Sequence, residues 1–309
     1  MKKFLIKVGL YSAVLFFGLL CFEFSLYTQE NEYSYKKHFI EQHLKDIKVL
    51  TLGSSLFEVS VDPSIIGDSV FNGSMSGIGN IYKNSATHQM ALRYLPLMSN
   101  LKTLIIPFPI TDAYAGSGTW KYTLSPAGRS CLCMSVKYLH VLTDPRDILY
   151  WPELVNSNMQ FMKRFERTDE ENRICDARGL LSRNRDLEHR KPDWDYVRSG
   201  INSNKTRRDT WSVIQAYYEV AEVCREHGIE LIGVATPYYK TKQDQITAQM
   251  KSDYHYVISE IKKKYPEVQF YDYTCDKRFT SDDFQDAVHL NNNGARKFSK
   301  IMKEEILKR

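Results

Sequence analysis

The chain has 309 residues, 43% hydrophobic and 26% charged, enough for one large α/β domain or two small ones and unlike a disordered or fibrous protein. Its formal net charge of +5 is modest and both signs are interleaved, so bulk charge gives no reason to expect a nucleic-acid partner. Even the basic stretch from Lys163 to Arg208 carries Asp169, Glu170, Glu171, Asp176, Asp186, Glu188, Asp193 and Asp195, the pattern of a solvated surface.

Phe4 to Phe22 is apolar except for Lys7, Tyr11 and Ser12. At about 1.5 Å per residue the run matches the roughly 30 Å hydrocarbon core of a bilayer. Lys2, Lys3 and Lys7 lie at its start and Glu23, Glu30 and Glu32 follow it, so the positive-inside rule puts the N-terminus in the cytosol and the body outside. No small-x-small cleavage site follows, and Leu20 before Cys21 does not suit a lipoprotein signal. A single-pass, uncleaved membrane anchor is therefore expected over residues 1–27, with a polar Tyr- and Glu-rich connector over residues 28–48.

Beyond the connector, short apolar runs alternate with helical patterns, as in a parallel α/β sheet. Strands are expected at Val49–Leu52, Ser69–Asn72, Thr103–Phe108, Ile229–Ala235 and Val268–Asp272. Helices are expected at Ile81–Tyr94, at Trp211–His227 with Gly228 as its C-cap, at Gln245–Lys263 and at Asn293–Lys308. Over residues 112–209 the rhythm is lost, and a mostly helical insertion is expected. It leaves the C-terminal end of the third strand, the edge at which open α/β sheets bind ligands. The six cysteines, at 21, 131, 133, 175, 224 and 275, have no zinc-ligand spacing, and neither a metal nor any other cofactor is expected. With Cys21 in the anchor, five remain for at most two disulfides, whose pairing is open.

Three segments carry chemistry. Gly53-Ser54-Ser55 closes the first strand, where a hydrolase exposes a nucleophile, although such a turn serves equally as a helix cap. Asn72-Gly73-Ser74-Met75-Ser76-Gly77-Ile78-Gly79 follows the second, and its glycines would let backbone N–H groups approach a substrate oxygen. Asp286-Ala287-Val288-His289 precedes the last helix, and at this spacing the carboxylate can hold one imidazole nitrogen while the other accepts a serine proton. Each segment sits at the proper edge of its element, which makes the three together far more specific than any one.

These residues resemble the SGNH (GDSL-like) hydrolases, in particular a membrane-anchored bacterial branch related to proteins of cell-envelope polymer acylation. The resemblance covers the whole part beyond the anchor and implies a flavodoxin-like three-layer sandwich over residues 49–309. It implies Ser55 as nucleophile, Asp286 and His289 as its partners, and the backbone N–H groups of Ser55 and Gly77, with Gly73 second to it, as the oxyanion hole. The family's further Asn donor after the third strand is missing. Pro107-Phe108-Pro109-Ile110-Thr111-Asp112 stands there, which leaves Asn72 or Thr111 as substitutes and favours acyl transfer over fast hydrolysis.

The resemblance thus implies a tethered serine esterase or O-acyltransferase acting on acylated envelope polysaccharide, with a membrane acyl-transfer partner and with Trp120, Tyr122, Trp151 and Trp194 of the insertion available to stack on sugar rings. The alternative is a non-catalytic scaffold or binding subunit of the same kind of complex. A phosphate binder is the weakest reading, since no Gly-Lys-Ser/Thr sequence accompanies the glycine turns.

Overall fold

The computed structural model describes residues 1–28, 32–76, 80–83, 85–114, 175–181 and 210–308. Helix α1 (Lys2–Thr28) and helix α2 (Glu32–Gln42) precede the sheet. The stretch expected as a connector therefore contains a helix, whose Ile40 is fully buried beneath the sheet's first strands. The side chains of Phe4, Leu15 and Phe17 in α1 are 68, 70 and 69% exposed. Among the described residues, no helix is long and apolar enough to cross a membrane, so the expected transmembrane helix is not part of what the fold itself establishes.

Five strands, β1 (Val49–Thr51), β2 (Val70–Asn72), β3 (Thr103–Pro107), β4 (Glu230–Ala235) and β5 (Gln269–Asp272), form one parallel sheet in the order β2-β1-β3-β4-β5. That order is the flavodoxin-like one. Strands buried on both faces read as continuous apolar runs, and successive side chains face opposite layers. In β3, Leu104 and Ile106 enter one core cluster and Ile105 the other.

On the first face lie α5 (Ala86–Tyr94), α6 (Trp211–Glu226) and α8 (Ala248–Lys264), through Met90, Tyr94, Tyr217, Val220, Tyr254 and Val257. On the second lie α4 (Pro63–Ile66) and α9 (Asn292–Ile301), through Ile66, Phe298 and Ile301. Each strand starts and stops within a residue or so of its expectation. The helices depart more: the one expected from Ile81 begins only at Ala86, the one expected from Gln245 begins at Ala248, and α9 gives way to a π-helical turn at Met302–Leu307. The expected helical insertion lies outside the described residues except at residues 112–114, which end a 3-10 turn (Ile110–Tyr114), and at residues 175–181.

That short piece closes an open sheet edge. The carbonyl of Arg178 accepts the Asn72 N–H at 3.0 Å, Leu181 N–H donates to the Glu58 carbonyl at 3.0 Å, and the Asp176 carboxylate holds the turn by accepting from the N–H groups of Arg178 and Leu180. The segment thereby pairs the Asn72 N–H on the outer edge of β2, which would otherwise lie open. Gly179 is required for it: φ is +89°, and a Cβ would stand 2.0 Å from the Asn72 carbonyl oxygen. Gly179→Ala is expected to cost about 1–3 kcal/mol, seen as a lower thermal midpoint together with faster hydrogen exchange at the Asn72 amide.

Candidate active site

Because all five strands are parallel, their C-terminal ends share one edge, and the three chemistry-bearing segments meet there. Gly53 follows β1 with its Cα against the Pro107 ring, since a Cβ there would lie 2.3 Å from the ring's Cγ. The chain then turns at once into the short helix α3 (Ser55–Glu58), capped by Ser54, and Ser55 is presented at its first position. Among the described residues, no acceptor meets the Ser55 backbone N–H. It is one of the donors that the start of a helix leaves free.

The loop of residues 283–291 reaches the same edge from the far side. Phe284 and Leu290 form an antiparallel bridge and are both buried, and the Ala287 carbonyl accepts the N–H of Tyr239 just beyond β4. Asn291 caps α9 through the N–H groups of Asn293 and Gly294. Between these supports the Asp286 Oδ1 accepts the backbone N–H groups of Val288 and His289, at 2.9 and 2.8 Å. Its Oδ2 takes His289 Nδ1 at 2.8 Å, and His289 Nε2 faces Ser55 Oγ at 2.9 Å.

A carboxylate accepts only, so Nδ1 carries the proton and Nε2 is left to accept from the serine hydroxyl. Burial pushes the Asp286 carboxyl up, but the hydrogen bond and charge of His289 and the two backbone donors outweigh it and hold the group below the ordinary carboxylate range. The three residues expected to meet do so.

The expected oxyanion donors fare differently. Gly77 lies outside the described residues. Gly73 donates its N–H to the Thr51 carbonyl at 2.9 Å and so continues the sheet ladder. Asn72 has to be corrected, because it is fully buried and committed to the fold. Its Nδ2 donates to the carbonyls of Phe57 and Val61, and its Oδ1 accepts from Thr51 Oγ1 and the Ser74 N–H. Thr111 shares a 3.2 Å hydrogen bond with the Tyr238 hydroxyl beside the exits of β3 and β4. The four insertion aromatics named above also lie outside the described residues.

Two features had no sequence signal strong enough to find them. Lys36 of α2 and Glu58 of α3 form a 2.8 Å ion pair with both side chains sealed from solvent. Lys36 Nζ also donates to the Ser74 carbonyl, and Glu58 Oε2 accepts the Ser76 hydroxyl. One buried cluster thereby holds the helix that begins at Ser55 and the loop after β2 together. The other feature is Asn80, whose Oδ1 accepts the Ser54 N–H at 3.2 Å. Its only signal was its place directly after Gly77-Ile78-Gly79.

Compared with known proteins, the chain matches no family model and none of the curated proteins.

Lys36→Met would leave the Glu58 carboxylate buried without its cation, an expected loss of about 3–5 kcal/mol. Denaturant unfolding should show the loss, and adding Glu58→Leu should restore most of it. Asp286 supplies a second test. Its carboxyl is held low in the fold, so its contribution to stability is present above the unfolded carboxylate value and fades as pH falls through the lower, folded one. Wild type should therefore melt above Asp286→Asn at neutral pH, and the gap should close as the pH is taken below the ordinary carboxylate range.

Proposed function

We propose that this chain is an SGNH-type serine hydrolase, a membrane-tethered esterase or O-acyltransferase acting on acylated cell-envelope polysaccharide. One observation carries the reading: an unbroken Asp286–His289–Ser55 chain of hydrogen bonds at 2.8 and 2.9 Å, at the ligand-binding edge of a parallel sheet. A surface histidine needs neither a carboxylate with two backbone supports behind it nor a serine at a strand exit in front of it.

In the proposed reaction Ser55 Oγ attacks the ester carbonyl carbon while its proton passes to His289 Nε2. Asp286 keeps the imidazole oriented and stabilises the imidazolium. The carbonyl oxygen, now negative, is met by the Ser55 N–H and by the N–H of Gly77. Collapse returns the proton to the leaving alcohol and leaves an acyl-serine. Water or a sugar hydroxyl, deprotonated by the same histidine, then takes the acyl group. No cofactor enters these steps.

Tethering is supported by the apolar side chains of Phe4, Leu5, Ile6, Leu10, Leu15 and Phe17 in α1, which stand exposed beside Lys2, Lys3 and Lys7. A bilayer would cover that surface, with the lysines on the cytosolic side and the catalytic domain outside.

The test is covalent labelling of the full chain in detergent micelles with a fluorophosphonate. Ser55 Oγ should form a bond to phosphorus with loss of fluoride, and Ser55→Ala should not label. His289→Ala and Asp286→Asn should label far more slowly, by about 10³–10⁴-fold. A wild-type chain that stays unlabelled, or a Ser55→Ala variant that labels equally, would leave the non-catalytic scaffold as the reading.

A further inference from the structure

Stabilising an oxyanion takes donors aimed at one point, and most of the described donors at this sheet edge are already engaged. The N–H groups of Gly73, Ser74 and Met75 donate to the Thr51 carbonyl, Asn72 Oδ1 and the Gly53 carbonyl. Beyond β3, Pro107 and Pro109 have no N–H, and that of Phe108 donates to the Val234 carbonyl at 2.8 Å. Both hydrogens of the Asn72 amide go to Phe57 and Val61. Buried backbone and amide groups are almost always satisfied in this way.

Asn80 breaks the pattern. It is only 8% exposed, anchored by the buried Ile81 and Tyr82 that follow it, yet only one end of its amide is engaged. The Ser54 N–H can only donate, so the oxygen must be the end that faces it, and the NH₂ group is the end left over. Among the described residues Nδ2 has no acceptor, and it is not one of the sealed interior atoms that lack a partner. A donor is thus clamped against the peptide that leads into Ser55, open to solvent, at the edge where the Ser55 N–H is also free.

We propose that Asn80 Nδ2 is a side-chain donor of the oxyanion hole, a catalytic residue that receives the carbonyl oxygen as Ser55 Oγ adds to the carbonyl carbon. This rests on Ser55 being the nucleophile. The same amide does two jobs: its oxygen fixes the turn that presents Ser55, and its NH₂ meets the charge that develops there. A donor held by its own oxygen needs no reorganisation when the charge appears.

The two jobs separate by substitution, tested in the full chain in detergent with 4-nitrophenyl acetate. Asn80→Asp keeps an acceptor for the Ser54 N–H and removes the donor. Asn80→Ala removes both without adding charge. Loss of one oxyanion donor should lower kcat by about 10²–10³-fold in both variants, with KM little changed. Melting temperature is read on the same samples, and should one variant fail to fold, the kcat-against-KM split in the other decides. An aspartate variant at wild-type kcat beside an impaired alanine variant would reduce Asn80 to a clamp. An alanine variant at wild-type kcat would remove it from the site. Either overturns the inference while leaving the Ser55 reading intact. That reading fails separately, and this inference with it, if the wild-type chain neither hydrolyses the ester nor labels at Ser55.

Discussion

The buried Lys36–Glu58 pair is the contact on which the C-terminal edge of the sheet, where Ser55 and His289 meet, depends. Two charges taken out of water are tolerable only when each is met by the other and by further hydrogen bonds. Here those bonds come from the Ser74 carbonyl and the Ser76 hydroxyl, so satisfying the charges also places the loop after β2. Glu58 belongs to the helix that begins at Ser55, and its own carbonyl accepts the Leu181 N–H from the insertion. The helix before the sheet, the turn into Ser55, the start of the loop after β2 and the returning insertion segment are thus held by one cluster. Gly179, whose missing Cβ would stand 3.4 Å from Lys36 Cε, lets that segment lie close enough to seal it.

Around this cluster the polar groups divide into those that build and those that remain free. Asn72 and Asn80 show the division most clearly, because they are the same residue type at the same edge. Asn72 is wholly spent on bracing α3 against β1, and so it holds the helix that begins at Ser55 with no donor left over. Asn80 commits its oxygen and keeps its nitrogen. Asp286 follows the first pattern, with one oxygen on the backbone of its own loop and the other on His289. The imidazole is consequently held by its own loop with Nε2 turned toward Ser55 Oγ, the preorganisation that the proposed reaction calls on.

Much of the fold was legible because parallel strands buried on both faces leave an unmistakable apolar run, as at Thr103–Pro107 and Glu230–Ala235. The Asp286–His289 pair was legible for a different reason: three residues of separation suffice to close its hydrogen bond within one loop. What was misread has a common cause. Residues 28–48 look polar, yet α2 lies among them because Ile40 and Lys36 pack inward and the charge of Lys36 is neutralised by a residue 22 positions away. Asn72 looked available as a substitute for the Asn missing after β3, whereas its surroundings are set by Phe57 and Val61 on another segment.

The sequence by itself determined the positions and parallel sense of the five strands, the turn that carries Ser55 and the local pairing of Asp286 with His289. These follow from side-chain periodicity and short-range geometry, which are written into neighbouring residues. Only the tertiary structure decided that Ser55 Oγ and His289 Nε2 meet across 234 positions, that Lys36 is interior, and that Asn80 rather than Asn72 keeps a donor free. Such outcomes depend on which groups distant segments bring together. A hydrogen-bonding group becomes structural or available according to whether its partners are already there.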